Sequence, residues 1–210
     1  MASQDEIPIL HYFDLGRLGR GEVVRLFLRD AEMEFKDIRY PYKGTGGPWQ
    51  ASTGDLARDG VTRTKKLPAF EYGGLILTQH IPILRFLSRD LSRYDGETSK
   101  EKYLVDAIAD MYIDWRFQWV LQLDKITDAY KNEYVPKYYA LLEKYYSETE
   151  GPYLLGDKIT YADFAVYQSI DNDERIKTLP AKLPPSLQKF RETFEARPNI
   201  AAYIRENAAN

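Results

Sequence analysis

Strand-like patterns in this sequence end before residue 80, and only helical patterns follow the polar, turn-rich tract at residues 92–101. The first part runs from the apolar stretch "IPILHYF" through a helical pattern and further short strands, in the order βαβ(α)ββα. The second part contains helical patterns that begin near residues 99, 135, 160, 186 and 199. These patterns predict a small α/β domain at residues 1–92, a linker at 93–101 and an all-helical domain at 102–210.

The composition excludes several classes of function. A chain of 210 residues with 44% hydrophobic content can bury a core, whereas a net charge of -3 does not suit a nucleic-acid surface. No apolar run is long enough to span a bilayer, and the first residues lack the pattern of a secretory signal, so we expect a cytoplasmic protein without a membrane partner. There is no cysteine. Any sulfur chemistry must therefore use a sulfur that a ligand brings.

Three glycines lie between a strand that ends in Tyr12 and a helical pattern, with the spacing Gly16-x-x-Gly19-x-Gly21. Glycines at the N-terminus of a helix can cradle a phosphate on free N–H groups. The spacing is the reverse of the dinucleotide fingerprint, and no Gly-Lys-Ser/Thr follows, so a tight turn is the simpler interpretation. The chain has only two histidines and no metal site is predicted.

Three further signals are local. A Gly-Gly pair at residues 73–74 separates two strand-like segments, which predicts an antiparallel hairpin. The segment "GDKITYADF" predicts a helix start in which Thr160 and Asp163 form a capping box. Pro68 opens a strand-like segment. Its bond with Leu67 is either an ordinary trans edge proline or a cis bond that turns the Leu67 backbone towards an extended ligand.

Five motifs occur here in one order: a strand with Tyr-Phe, a Gly-Arg-Gly-Glu helix entry, Leu-Pro before a hairpin, "LTQHIPILRFL", and the Gly-Asp-x-x-Thr-x-Ala-Asp cap. Together they resemble the cytosolic glutathione transferases, in particular the tyrosine-type sigma and related classes. The resemblance implies a thioredoxin-like N-terminal domain, an all-α C-terminal domain and a homodimer. It also implies a cis bond at Pro68, glutathione as cosubstrate and no prosthetic group.

The resemblance assigns the glutathione site residue by residue. Tyr12 coincides with the family's catalytic tyrosine, whose hydroxyl binds the glutathione sulfur and favours the thiolate. The main chain of Leu67 would pair with the cysteinyl part, Gln79 would hold the γ-glutamyl group, and Asp114 would reach the γ-glutamyl amine of the neighbouring subunit. The full set implied for glutathione binding is Arg20, Trp49, Lys66, Leu67, Pro68, Gln79, His80 and Asp114.

The electrophilic acceptor is expected against the loop that ends at Leu18 and against aromatic residues of the first long helix. Tyr112, Trp115 and Trp119 share one face of that helix, whereas Phe117 lies off it. Such an aromatic stripe lines either a pocket or a core. We expect Leu18, Tyr112 and Trp115 to line an acceptor pocket.

The sequence departs from the family pattern beside the ligand. His80 stands where the family usually has a serine, the turn after Tyr12 is two residues longer, and the 41–60 loop is enlarged. The expected function is attack of a tyrosine-stabilised glutathione thiolate on small hydrophobic electrophiles. The alternatives are a glutathione-dependent isomerase or biosynthetic tailoring enzyme, and a non-catalytic structural or binding member of the same fold.

Overall fold

A computed structural model describes residues 6–42, 56 and 58–207. The chain divides into two compact units: Met1–Leu87 with Ala202–Asn210, and Ser88–Ala201. This division differs from the sequence-based expectation at two points. It falls at residue 87 instead of 92, and it assigns the C-terminal segment to the first unit. Within this segment, Tyr203 contacts the first helix of that unit through Glu22 and Arg29, as described below.

The first unit contains a four-stranded mixed sheet. Its strands are β1 (Ile9–Asp14), β2 (Lys36–Pro41), β3 (Ala69–Tyr72) and β4 (Leu75–Thr78), in the order β2-β1-β3-β4. β1 and β2 are parallel, whereas β1–β3 and β3–β4 are antiparallel. Both glycines of the β3–β4 turn have positive φ, 55° at Gly73 and 74° at Gly74, which confirms the predicted two-residue hairpin.

In the part of the first unit that the structure describes, the sheet is accompanied by the helices α1 (Arg20–Asp30) and α2 (His80–Asp90). The helical pattern after the glycines is amphipathic, and Val23, Val24 and Phe27 are fully buried. In α2, the residues Ile83, Leu84 and Leu87 are likewise fully buried. The described elements follow the predicted order of strands and helices, which is that of a thioredoxin-like domain.

The second unit is helical. Its elements are α3 (Ser99–Val120), a π-helical turn (Tyr130–Tyr134), α4 (Val135–Tyr146), α5 (Tyr161–Arg175) and α6 (Pro185–Glu195), and α7 (Pro198–Glu206) begins in it. α3 starts at a capping box formed by Thr98 and Glu101. The pattern predicted this helix as far as residue 124, but it ends at Val120. The Gln122 side chain instead accepts from the N–H of Thr127 at 3.0 Å and so belongs to the following loop.

The predicted capping box at the start of α5 is present. The carboxylate of Asp163 accepts from the N–H of Thr160 at 2.6 Å and from its hydroxyl at 2.8 Å. It also accepts from the Tyr146 hydroxyl at 2.8 Å and the Leu154 N–H at 3.1 Å. Burial raises the pKa of Asp163, although these hydrogen bonds oppose the shift. This carboxylate therefore joins α4, α5 and the turn between them.

A second buried carboxylate organises the other end of α5. Asp173 accepts hydrogen bonds from the indole of Trp115 at 3.0 Å and from the hydroxyls of Tyr130 and Tyr139 at 2.8 and 2.9 Å. The Thr178 hydroxyl adds another at 2.8 Å. These four donors occupy the lone-pair sites of the two carboxylate oxygens. No helix within the described ranges is long and apolar enough to cross a membrane.

Candidate active site

Tyr12 lies on β1 with only 6% of its surface exposed, and its hydroxyl oxygen meets the start of α1. The backbone N–H of Arg20, the first residue of α1, donates a hydrogen bond to this oxygen at 2.8 Å. The first N–H groups of a helix have no partner within the helix, and one of them is satisfied here by the phenol. The helix thus holds the Tyr12 hydroxyl at a defined position.

Two glycines make this contact possible. A Cβ atom at Gly19 would lie 2.8 Å from the Tyr12 hydroxyl oxygen, and one at Gly21 would lie 2.3 Å from the ring carbon Cγ. Gly19 also has a φ of +91°, in the region that favours glycine. The glycines therefore serve close packing of backbone against the phenol ring, which is the tight-turn interpretation of this stretch.

The hydroxyl of Tyr12 is arranged as a donor to a third group. A phenol oxygen that accepts an N–H still carries its own hydrogen, and donation into its oxygen strengthens the hydrogen bond it makes in turn. The buried guanidinium of Arg25 lies 5.9 Å from the centre of the ring. An anionic acceptor placed beside this hydroxyl would receive a charge-assisted hydrogen bond.

Three of the predicted site residues line up across the sheet. β1 and β3 pair His11 with Ala69, so continuing that antiparallel register places Pro68 opposite Tyr12. β3 and β4 pair Ala69 with Thr78, which places Gln79 opposite Pro68 in the same way. Tyr12, Pro68 and Gln79 thus each lie directly next to the last paired residue of the β1–β3 or β3–β4 ladder, and we refer to them as one row at this end of the sheet.

The backbone on this row departs from regular strand geometry. The Leu67–Pro68 bond is cis, as the resemblance implied, and Pro68 is buried while Leu67 is half-buried. Gln79 has a φ of 69° and an exposed side chain, and its carbonyl accepts the Ile83 N–H at 2.9 Å at the start of α2.

The remaining predicted residues of the first unit differ in exposure. Lys66 is exposed, Arg20 and Leu18 are half-buried, and His80 is buried at 1% exposure. The His80 imidazole thus lies inside the unit. Trp49 and most of the enlarged 41–60 loop lie outside the described residues.

Asp114 lies in the second unit, on α3, and its side chain is exposed. It is close enough to Tyr134 to affect its titration: burial first, and then the charges of Asp114 and Asp173, raise the pKa of Tyr134 to about 12. Its exposed carboxylate is available to a ligand or to another chain.

The prediction that Tyr112 and Trp115 line an acceptor pocket needs correction. Both side chains are fully buried. The Tyr112 hydroxyl donates to Gln168, and the Trp115 indole donates to Asp173. They are core residues, because their polar atoms are turned inward to partners on α5. Phe117, on the other side of the same helix, is 62% exposed.

A buried charge cluster around Glu22 was missed by the sequence reasoning. Glu22 is 1% exposed, with Arg17 at 3.6 Å and Arg25 at 3.6 Å, and it accepts the Tyr203 hydroxyl at 2.9 Å. Arg25 also forms a bidentate ion pair with Asp37. One signal was available: Glu22 and Arg25 lie three residues apart among the apolar residues of α1, where an exposed charge pair would be out of place.

Comparison with known proteins agrees with this architecture. The family described as "Glutathione S-transferase, C-terminal domain" matches residues 113–207. The chain is 30% identical to glutathione S-transferase Mu 6 of Mus musculus, over 93% of this chain and 89% of the relative. It is 27% identical to glutathione S-transferase P 10 of Caenorhabditis elegans, over 97% and 93%.

A solved structure gives the same result. The Pi-class glutathione S-transferase of Onchocerca volvulus superimposes with a TM-score of 0.83 and 25% identity, covering 97% of this chain and 95% of that one. The fold is thus that of two-domain transferases with a thioredoxin-like N-terminal domain and a helical C-terminal domain. The chain belongs to the glutathione S-transferase family.

Proposed function

We propose that this protein transfers glutathione to small hydrophobic electrophiles, with Tyr12 as the catalytic residue. The observation that carries the proposal is the Arg20 N–H hydrogen bond to the Tyr12 hydroxyl, which positions the phenol at the end of the row it forms with Pro68 and Gln79. The phenol then donates to the glutathione sulfur and stabilises the thiolate over the thiol.

The magnitude of this effect suits one hydrogen bond. A free thiol with a pKa of about 8.5 is only a few per cent ionised at pH 7. Lowering that pKa by about two units requires roughly 2.7 kcal/mol. A hydrogen bond to a charged acceptor supplies roughly 1.5–3 kcal/mol, so a single phenol is sufficient. The thiolate sulfur forms a bond to the electrophilic carbon as the leaving group departs with its electron pair.

The rest of glutathione binds along the same end of the sheet. The Leu67 backbone pairs with the cysteinyl part as an added strand would. Gln79 and the backbone N–H of His80 hold the γ-glutamyl carboxylate at the start of α2, because the N-terminus of a helix favours an anion. We assign Lys66, which is exposed, and Trp49 to the glycine carboxylate of glutathione. Arg20, at the start of α1, supports the thiolate.

The acceptor and the assembly complete the proposal. Leu18, at the end of the loop after Tyr12, supplies apolar surface for the electrophile. The protein acts as a cytoplasmic homodimer in which the exposed Asp114 carboxylate reaches the γ-glutamyl amine bound to the partner subunit. No prosthetic group takes part in the proposed step.

The test is Tyr12→Phe, which removes the hydroxyl and keeps the ring. Turnover of an aryl halide such as chlorodinitrobenzene is expected to fall about a hundredfold, the rate equivalent of roughly 2.7 kcal/mol. Tyr40→Phe is the matched control, since it removes a hydroxyl that is hydrogen-bonded to His11 at 2.8 Å in the same sheet. Activity of Tyr12→Phe within twofold of the wild type would exclude Tyr12 from the mechanism.

The same assay separates the alternatives. Loss of one glutathione for each product molecule supports conjugation, whereas product formed without net loss of glutathione identifies an isomerase. A wild-type protein that neither turns over nor is retained on immobilised glutathione is a structural or binding member of the fold, and the proposal then fails.

A further inference from the structure

The Tyr203 hydroxyl of α7 donates to Oε2 of Glu22 at 2.9 Å, inside the first unit. Glu22 lies in the first turn of α1, two residues after Arg20, whose N–H binds Tyr12. Tyr203 is 5% exposed and Glu22 is 1% exposed. Residues 181 positions apart thus meet directly behind the start of the helix that holds the proposed catalytic phenol.

The hydrogen bond completes a charge cluster. Glu22 Oε1 lies 3.6 Å from Nε of Arg17, in the loop between Tyr12 and α1, and Oε2 lies 3.6 Å from Nη1 of Arg25. All three side chains are at least 95% buried. At 3.6 Å the arginines neutralise Glu22 electrostatically, and the Tyr203 hydroxyl contributes a directional hydrogen bond to the carboxylate at 2.9 Å.

Tyr203 is itself held in place. The guanidinium of Arg29, in the last turn of α1, lies 5.8 Å from the centre of its ring. Burial, together with the negative charge of Glu22, raises the pKa of Tyr203, so its hydroxyl stays protonated and donates at physiological pH. Tyr203 therefore contacts the first and the last turn of α1 through two side chains of opposite charge, Glu22 and Arg29.

A shift of the first turn of α1 would displace the Tyr12 side chain directly. The backbone at Gly19 and Gly21 leaves no room for even one methyl group between helix and ring. The Tyr12 hydroxyl accepts a hydrogen bond from the Arg20 N–H of that same turn. Close-packed contacts of this kind transmit small displacements, since packed interiors have low compressibility.

We propose that Tyr203 is a positioning residue for Tyr12. By orienting Glu22, it fixes the first turn of α1 and, through that turn, the direction in which the Tyr12 hydroxyl is presented to the glutathione sulfur. This inference rests on the proposed function of Tyr12.

The test is Tyr203→Phe, which removes one hydroxyl and keeps the ring against Arg29. The pH midpoint of thiolate formation by bound glutathione is followed by ultraviolet absorbance, alongside kcat and KM. We expect the midpoint to rise and kcat to fall about threefold to tenfold, within the range of coupling through neighbouring residues, while KM for glutathione changes by less than about twofold.

The matched control is Tyr146→Phe. It removes a hydroxyl that donates at 2.8 Å to another buried carboxylate, Asp163, in the second unit. Both variants are expected to lose thermal stability, but only Tyr203→Phe shifts the thiolate midpoint. A Tyr203→Phe variant with lowered stability and the wild-type midpoint would show a purely structural role and overturn the inference.

A double variant distinguishes this inference from the function on which it rests. If Tyr203 acts through Tyr12, then Tyr12→Phe/Tyr203→Phe has the same midpoint as Tyr12→Phe alone, because the positioned group is already gone. A further shift in the double variant would mean that Tyr203 acts independently and would refute the positioning role. If Tyr12→Phe leaves the thiolate midpoint unchanged, the proposed function itself fails. If Tyr12→Phe shifts the midpoint and Tyr203→Phe does not, the proposed function stands and this inference fails.

Discussion

Gly21→Ala is the sharpest perturbation of the candidate site that does not alter the proposed catalytic group. The added methyl carbon would lie 2.3 Å from Cγ, 2.4 Å from Cδ1 and 2.8 Å from Cβ of Tyr12. Nonbonded carbon atoms rest at about 3.5 Å, so the ring and the helix must separate by about 1.2 Å. The Arg20–Tyr12 hydrogen bond, now 2.8 Å, is expected to lengthen or break.

The consequences for rate and stability differ in size. A displacement of about 1 Å at a reacting group costs on the order of a hundredfold in rate. Overpacking destabilises by roughly 1–3 kcal/mol, and about 1 kcal/mol of this is offset because alanine is the better helix former. We therefore expect Gly21→Ala to lose most of its turnover of chlorodinitrobenzene while its free energy of unfolding falls by no more than about 2 kcal/mol.

The assay combines initial rates, the ultraviolet signal of the bound thiolate and urea unfolding followed by circular dichroism. Gly60→Ala is the control: its added methyl meets nothing within 4 Å, while its φ of +84° makes alanine unfavourable there. That variant is expected to lose stability and keep its rate. Wild-type turnover and a wild-type thiolate signal in Gly21→Ala would refute the argument that the helix start positions Tyr12.

Two further predictions concern other parts of the chain. Trp115→Phe removes the indole donor to Asp173 and should lower stability by roughly 1–3 kcal/mol with little change in KM for the acceptor. A raised KM at wild-type stability would return Trp115 to the acceptor pocket. Burial alone would raise the pKa of the Asp37 carboxyl. Hydrogen bonds and charge from Arg25, and then from Arg39, outweigh burial and hold that pKa below its usual range. The resulting stabilisation is present above the unfolded-state pKa of about 4 and is lost as pH falls through the lower folded-state pKa. In urea unfolding, Asp37→Asn should therefore be less stable than the wild type at neutral pH, and the difference should shrink below about pH 4. A difference that does not depend on pH would contradict this account.

Local sequence signals predicted most of the architecture. The apolar run of β1, the amphipathic pattern of α1 and the glycine pair at residues 73–74 each act over a few neighbouring residues, and each element formed where expected. The capping box of Thr160 and Asp163 is likewise a contact between residues three apart. Signals of this range survive in a single sequence because the physical interaction lies within the same turn.

The candidate site was predictable only in part. Tyr12, Pro68 and Gln79 were named from an ordered set of motifs, and the strand register aligns them. Helical spacing placed Tyr112 and Trp115 on one face but did not say whether that face meets a ligand or the core. Aromatic side chains suit both, and only the partners on α5 decide between them.

The sequence alone predicted the order of strands and helices and the turn chemistry, and it nominated Tyr12 on β1 as the candidate catalytic residue. Tertiary structure alone decided that Gly21 lies against the Tyr12 ring, that Glu22 is buried between Arg17 and Arg25, and that Tyr203 reaches it. The physical reason is range: periodicity and capping act between near neighbours, whereas close packing and buried charge pairing depend on which distant segments the folded chain brings together.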